Sequence, residues 1–244
     1  MEFFAKLLRA QQKNQSWIGL RLDIRARQMP LPFAQIDDPM LPFGQTIIDA
    51  TRDLVCAYLI DPAHYLAEGA AGMIALERLV NYVPDDLPIV LDCKCGDLGS
   101  SAEPYARAVF EAFRGDAVTF SRMPDQPTLD AFRQYSGKCA FVPVSTLLMA
   151  QQSLAGCGLV IHAAELSHLQ LSAIQLPVLL MDWSADDRHT GRLIGTGNFN
   201  PIVDAGPDVI YTSLREDFSE ALRNAVLKVR AGVNAYRPTA LAAL

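Results

Sequence analysis

The feature that most constrains this chain is its rhythm. Short, almost continuously apolar runs alternate with longer amphipathic stretches along most of its length. The runs are Trp17–Asp23, Leu54–Ile60, Ile89–Asp92, Ala117–Phe120, Ala140–Val144, Gly158–His162, Val178–Met181 and Val209–Tyr211. Runs of this kind fit strands buried on both faces, as in a parallel sheet covered by helices. Between them, Ala63–Tyr82, Glu103–Phe113, Leu129–Tyr135, Ser145–Gln152 and Glu165–Ile174 read as amphipathic helices, and Phe218–Val233 reads as a long closing helix. Turn signals at Pro84-Asp85-Asp86, Gly137-Lys138 and Gly206-Pro207-Asp208 precede the third, fifth and eighth runs. Eight such units in 244 residues predict an α/β fold, a (β/α)8 TIM barrel occupying residues 1–244 as one domain.

Two stretches interrupt the rhythm. Residues 24–44, with Pro30, Pro32, Pro39 and Pro42, read as a long connection after the first strand, and residues 182–206 as a Gly/Asp/Asn-rich excursion after the seventh. Loops of this length in a compact domain are functional or mobile more often than not, and in a barrel the loops after the strands line the ligand-binding face.

Composition narrows the function classes. Half of the residues are hydrophobic, enough for a large core without disulfide or metal staples. The net charge of -6, with acids and bases interspersed, argues against nucleic acid or an anionic membrane as a partner. Met1-Glu2-Phe3-Phe4 reads as a helix start rather than a basic leader, and no apolar run approaches the roughly 18 residues of a membrane span. A soluble, cytoplasmic protein is expected. The five cysteines, Cys56, Cys93, Cys95, Cys139 and Cys157, are an odd number and lie mostly in apolar runs. Cys93-Lys94-Cys95 is too tight for a zinc knuckle, so no metal site is expected.

The runs end in polar residues: Asp23, Asp61 and His64, then Asp92, Lys94 and Asp97, then Thr119, Ser121 and Arg122. Ser145 and Thr146, His162, Asp182, and Thr212, Ser213 and Arg215 follow the later ones. Strands often end polar, but a barrel would bring these groups to one mouth. The densest cluster is Asp92-Cys93-Lys94-Cys95-Gly96-Asp97. Asp92 and Lys94 stand two apart, which in an extended segment puts both side chains on one side. A lysine between carboxylates stays protonated and can deliver a proton to a developing carbanion. An ordinary ion pair at a strand end fits the spacing equally well.

The segment Asp92-Cys93-Lys94-Cys95-Gly96-Asp97-Leu98-Gly99-Ser100-Ser101-Ala102-Glu103-Pro104-Tyr105-Ala106 resembles the D-x-K-x-x-D region of bacterial orotidine 5'-phosphate decarboxylases. Phe3–Asp23, Ile47–Thr51 with Leu54–Tyr58, Gly115–Thr119, Phe141–Thr146 and Gly158–Ala164 resemble further segments of that family in order, over roughly residues 1–180. The resemblance implies decarboxylation without metal or cofactor, and a homodimer with shared active sites. By position, Lys94 would donate the proton, Asp92 would sit against the substrate carboxylate, and Asp97 would reach into the partner's site. Asp23 would bind ribose hydroxyls and Ser101 would contact the nucleotide. Thr119, His162, Asp182 and Arg215 complete the expected substrate-binding set.

The chain departs from the family pattern at several points. Leu59 stands where the family's second strand carries a lysine, which leaves the aspartates of the cluster short of a cation. Met181-Asp182-Trp183-Ser184-Ala185-Asp186-Asp187 replaces a glycine-rich phosphate loop. Gly195-Thr196-Gly197-Asn198, with Arg188 or Arg192, reads either as a substitute anion loop or as a flexible polar one. His162, in place of a small glycine, reads as a packed polar residue or a catalyst. The expected function is a divergent decarboxylase-like lyase acting on a carboxylated nucleotide- or nucleoside-like small molecule. The alternative is a catalytically silent barrel with a binding or assembly role.

Overall fold

The computed structural model describes residues 2–144, 156–169, 174, 176–184, 187–196 and 201–237. Eight parallel strands close into a barrel in sequence order: β1 (Ile18–Arg21), β2 (Ala57–Ile60), β3 (Ile89–Cys95), β4 (Ala117–Phe120), β5 (Cys139–Pro143), β6 (Cys157–His162), β7 (Val178–Met181) and β8 (Pro201–Asp204). Every residue of β1, β2, β4 and β8 is buried, so neither face of these strands needs polar side chains. Seven of the eight apolar runs therefore supply strands of the expected barrel.

Around the barrel lie α1 (Phe3–Lys13), α2 (Met40–Thr51), α3 (Ala63–Leu66), α4 (Gly69–Tyr82), α5 (Ala102–Arg107), α6 (Gln126–Arg133), α7 (Arg188–Thr196) and α8 (Phe218–Asn234). The helical stretch expected over Ala63–Tyr82 is two helices, broken where Gly69 takes φ 64°. The proline-rich connection is shorter than expected because α2 begins at Met40. Pro42 lies in the first turn of α2, where a missing N–H breaks no helical hydrogen bond.

One strand is placed differently from the sequence expectation. Val209–Tyr211 is a 3-10 turn, and the eighth strand is Pro201–Asp204, inside the stretch read as an excursion. That stretch also holds α7. Three apolar residues cannot distinguish a strand from a helical turn, and proline is compatible with a strand's first residue. Pairing decides the matter: β8 joins β7 through Leu179↔Ile202 and β1 through Ile18↔Val203. Ser145 and Thr146, the helix expected over Ser145–Gln152, Asp186 and Gly197-Asn198 lie outside the described residues.

Helix α1 lies against the barrel through β5. Phe3 meets Phe141 edge-on, with ring centroids 5.7 Å apart, and the Phe3 N–H donates to Gly137 O at 2.8 Å. Gly158 on β6 faces the same ring. A Cβ there would lie 2.5 Å from Phe141 Cε1 and 3.0 Å from Pro177 O. Because Phe141 is fully buried and braced by Phe3, it has little room to yield. Gly158→Ala is expected to lower the unfolding free energy by about 1–3 kcal/mol in urea denaturation.

Candidate active site

The strand ends at the C-terminal side of the barrel carry a connected set of charges, with Arg21 on β1 at its centre. Its Nε donates to Asp204 Oδ2 at 2.7 Å, and its Nη1 donates to Asp92 Oδ2 at 2.8 Å and Asp23 Oδ2 at 3.0 Å. Nη2 has a weak partner, Met181 Sδ at 3.9 Å. All four charged residues are at most 5 % exposed. The planar guanidinium, with five donors in a fixed fork, suits several carboxylates at once, whereas a lysine ammonium acts as a compact point charge.

Asp92 joins this buried floor to the open rim. Its Oδ1 accepts from the Thr119 hydroxyl on β4 at 2.7 Å, and that oxygen in turn accepts the Lys94 backbone N–H at 3.0 Å. Its Oδ2 lies 2.9 Å from Lys94 Nζ, which also donates to Asp61 Oδ2 at 2.5 Å. Asp61, just past β2, is tied back to the floor by its own N–H, which donates to Asp23 Oδ1 at 2.9 Å. Asp92 and Lys94 therefore do meet, though not through a regular extended strand. Lys94 takes φ 48°, and the pairing of β3 with β4 shifts register between Leu91 and Cys95. A bulge of this kind re-aims a side chain at a strand end, and a left-handed lysine costs about 1–3 kcal/mol that its surroundings must supply.

The electrostatics follow from burial and partners. Burial pushes the Asp92 carboxyl upward, but the Arg21 charge, the Thr119 hydroxyl and Lys94 outweigh it and hold it below the usual range. For Asp204 burial wins over Arg21, and the carboxyl is raised. Partial burial lowers the Lys94 ammonium, but its bonds to Asp61 and Asp92 more than compensate and raise it. Lys94 thus stands protonated at the mouth, with its side chain half exposed.

The other expected residues are scattered. Thr119 and Asp23 belong to the network. Asp97 is on the rim, its side chain 86 % exposed, paired with Arg122 at 3.0 Å. His162 and Asp182, at the ends of β6 and β7, pair with each other at 2.6 Å on the exposed rim. Ser101 is exposed in a 3-10 turn before α5. Arg215, with Thr212 and Ser213, does not end a strand: all three lie between the 3-10 turn and α8, with Arg215 exposed. Arg188 begins α7, and Arg192 is exposed on it.

Two members of the network, Arg21 and Asp204, were not anticipated, and Asp61 was anticipated only as one polar strand end among many, with no role in the site. For Arg21 a signal was present. It is the one charge inside Trp17–Leu22 and stands two residues before Asp23, hence on the same face of the strand. Asp204 escaped with its strand. Among the described residues, no group of three or more His, Cys, Asp or Glu is placed to hold a metal ion, and no helix is long and apolar enough to cross a membrane.

A closed (β/α)8 barrel carrying a lysine between carboxylates at the end of β3 defines the class: a TIM barrel with a charged cluster at its mouth. No protein-family model matches the chain. An orotidine 5'-phosphate decarboxylase of Roseiflexus castenholzii is 32% identical over 269 residues, covering 96% of this chain and 98% of that protein. The one of Herpetosiphon aurantiacus is 29% identical, covering 91% and 94%. The chain belongs to the orotidine 5'-phosphate decarboxylase family. The structure of Leishmania donovani OMP decarboxylase has the same fold, with a TM-score of 0.75 at 20% identity over 97% of this chain and 99% of that one.

The Asp92 shift sets a pH dependence. A carboxyl held below its unfolded value of about 3.9 stabilises the fold fully above that pH, and the contribution is lost as pH falls through the lower, folded value. Asp92→Asn should therefore lose less unfolding free energy than the parent between about pH 6 and pH 3. Urea titrations at both pH values check this, and an equal loss in the two proteins would contradict it.

Proposed function

We propose that the chain is a carboxy-lyase acting on a carboxylated nucleotide- or nucleoside-like small molecule, with Lys94 as proton donor. The observation that carries the reading is the placement of Lys94 Nζ, 2.9 Å from the buried Asp92 and 2.5 Å from Asp61 at the barrel mouth. A substrate carboxylate set against Asp92 meets like charge. Breaking the bond to that carboxylate leaves the electron pair on carbon and releases carbon dioxide. Lys94 then donates a proton from Nζ to that carbon and is reprotonated from water. These steps require neither a metal nor a redox group.

The rim supports a substrate other than the family's usual one. Asp182 follows β7 where a phosphate cradle is expected, and its carboxylate is 71 % exposed. Negative charge there works against a phosphate dianion. A pairing of two subunits with shared sites follows from the family resemblance, in which Asp97 would reach into the partner's site; here its exposed carboxylate pairs with Arg122.

Incubation with orotidine 5'-monophosphate, followed by ultraviolet absorbance, tests the family's own reaction. Turnover that falls at least about 1000-fold in Lys94→Ala is the expected outcome if that substrate is accepted. Absence of turnover, with thermal stabilisation by UMP or orotidine, would redirect the search to another carboxylated ligand. Absence of both would support the silent-barrel alternative. Where activity is found, mixing Lys94→Ala with Asp97→Ala should restore about a quarter of it, since a shared site leaves one intact in each mixed dimer. No restoration would place Asp97 outside the partner's site.

A further inference from the structure

Three carboxylates, Asp23, Asp92 and Asp204, are buried at the floor of the mouth, and Arg21 contacts all three. The pairing of β1 with β2 places Arg21 directly beside Leu59. Paired residues on neighbouring parallel strands project to the same face, so both point into the barrel. The layer below confirms the direction: a Cβ on Gly19, two residues before Arg21, would come within 3.2 Å of Leu59 Cδ1 and 2.6 Å of Ile202 Cγ2. Leu59 is fully buried and offers no charge.

We propose that Arg21 is the positioning residue of this site: from the first strand it fills the place a second-strand cation would hold at Leu59, pins Asp92, and thereby sets where Lys94 presents its proton. The Nη1 bond to Asp92 Oδ2 reaches the same oxygen that Lys94 approaches, so the two cations share one acceptor. Thr119 holds the other oxygen, which leaves the carboxylate no free rotation. The groups facing Lys94 are Asp61 from the end of β2 and Asp92 from β3. Arg21 on β1, Asp23 just after it and Asp204 on β8 lie behind them, and the thiols of Cys93 and Cys95 flank Lys94 in the chain. Without Arg21, Asp92 is still ionised where Lys94 titrates, and its charge, no longer shared with a second cation, falls on Lys94 alone and holds the ammonium more tightly.

The test moves the cation between strands. Three proteins are compared: the parent, Arg21→Met, and Arg21→Met with Leu59→Lys. The readout is the pH at which Lys94 becomes reactive toward an amine-acylating reagent, located by peptide mass mapping. The onset is expected at higher pH in Arg21→Met, by about one unit, and back at the parental pH in the double variant. On any substrate the parent turns over, kcat should fall at least about tenfold in the single variant and recover in part in the double, with KM changed less. The activity arm rests on the carboxy-lyase reading and the labelling arm does not, so absence of a substrate leaves the labelling result decisive. An Arg21→Met protein that folds with an unmoved Lys94 onset overturns the proposal. If Arg21→Met fails to fold, a folded double variant with the parental onset supports it. A double variant that is unfolded, or whose onset differs from the parent's, overturns it.

Discussion

The Arg21 guanidinium joins three strands that are far apart in the chain. It bonds to Asp23 two residues away, to Asp92 seventy-one residues away and to Asp204 one hundred and eighty-three residues away. Each of those carboxylates is buried, and a buried carboxylate without a partner costs several kcal/mol or takes up a proton. Arg21 thus makes a compact acidic floor tolerable. It does so at the seam where β8 meets β1, the last closure of the barrel. The same ion supports both the closure and the site, so removing it should disturb both.

Above this floor the site changes character. Lys94 is half exposed, and the pairs beyond it, Asp97 with Arg122 and His162 with Asp182, lie mostly in water. Exposed pairs of this kind are worth about 0–1 kcal/mol each and are free to rearrange. The floor is therefore the rigid part, and the rim is the part that different ligands can reshape.

Most of the fold was legible because buried parallel strands leave a direct trace in sequence. The runs Ala117–Phe120 and Val178–Met181 coincide with β4 and β7. The eighth strand was not legible. Pro201–Asp204 sits among glycine, asparagine and aspartate and looks like loop, while Val209–Tyr211 looks more like a strand and forms a 3-10 turn. That turn still serves the site: Tyr211 Oη accepts the Arg25 N–H at 2.5 Å and lies over the segment that follows β1. Local pattern ranks these two segments wrongly because what selects between them is pairing with β7 and β1, an interaction absent from either segment alone.

The site divides along the same line. By itself the sequence determined the barrel class, the family, and the Asp92–Lys94 cluster, since these rest on residue types and spacings within short segments. Only the tertiary structure decided how that cluster is held. The bulge that turns Lys94 back to Asp92 depends on the register between β3 and β4. The carboxylates short of a cation along the chain meet one at Arg21, because the barrel's curvature and closure bring β1, β3 and β8 within reach of one side chain. A charge deficit judged along the chain is a statement about neighbours in sequence. The deficit is met by neighbours in space.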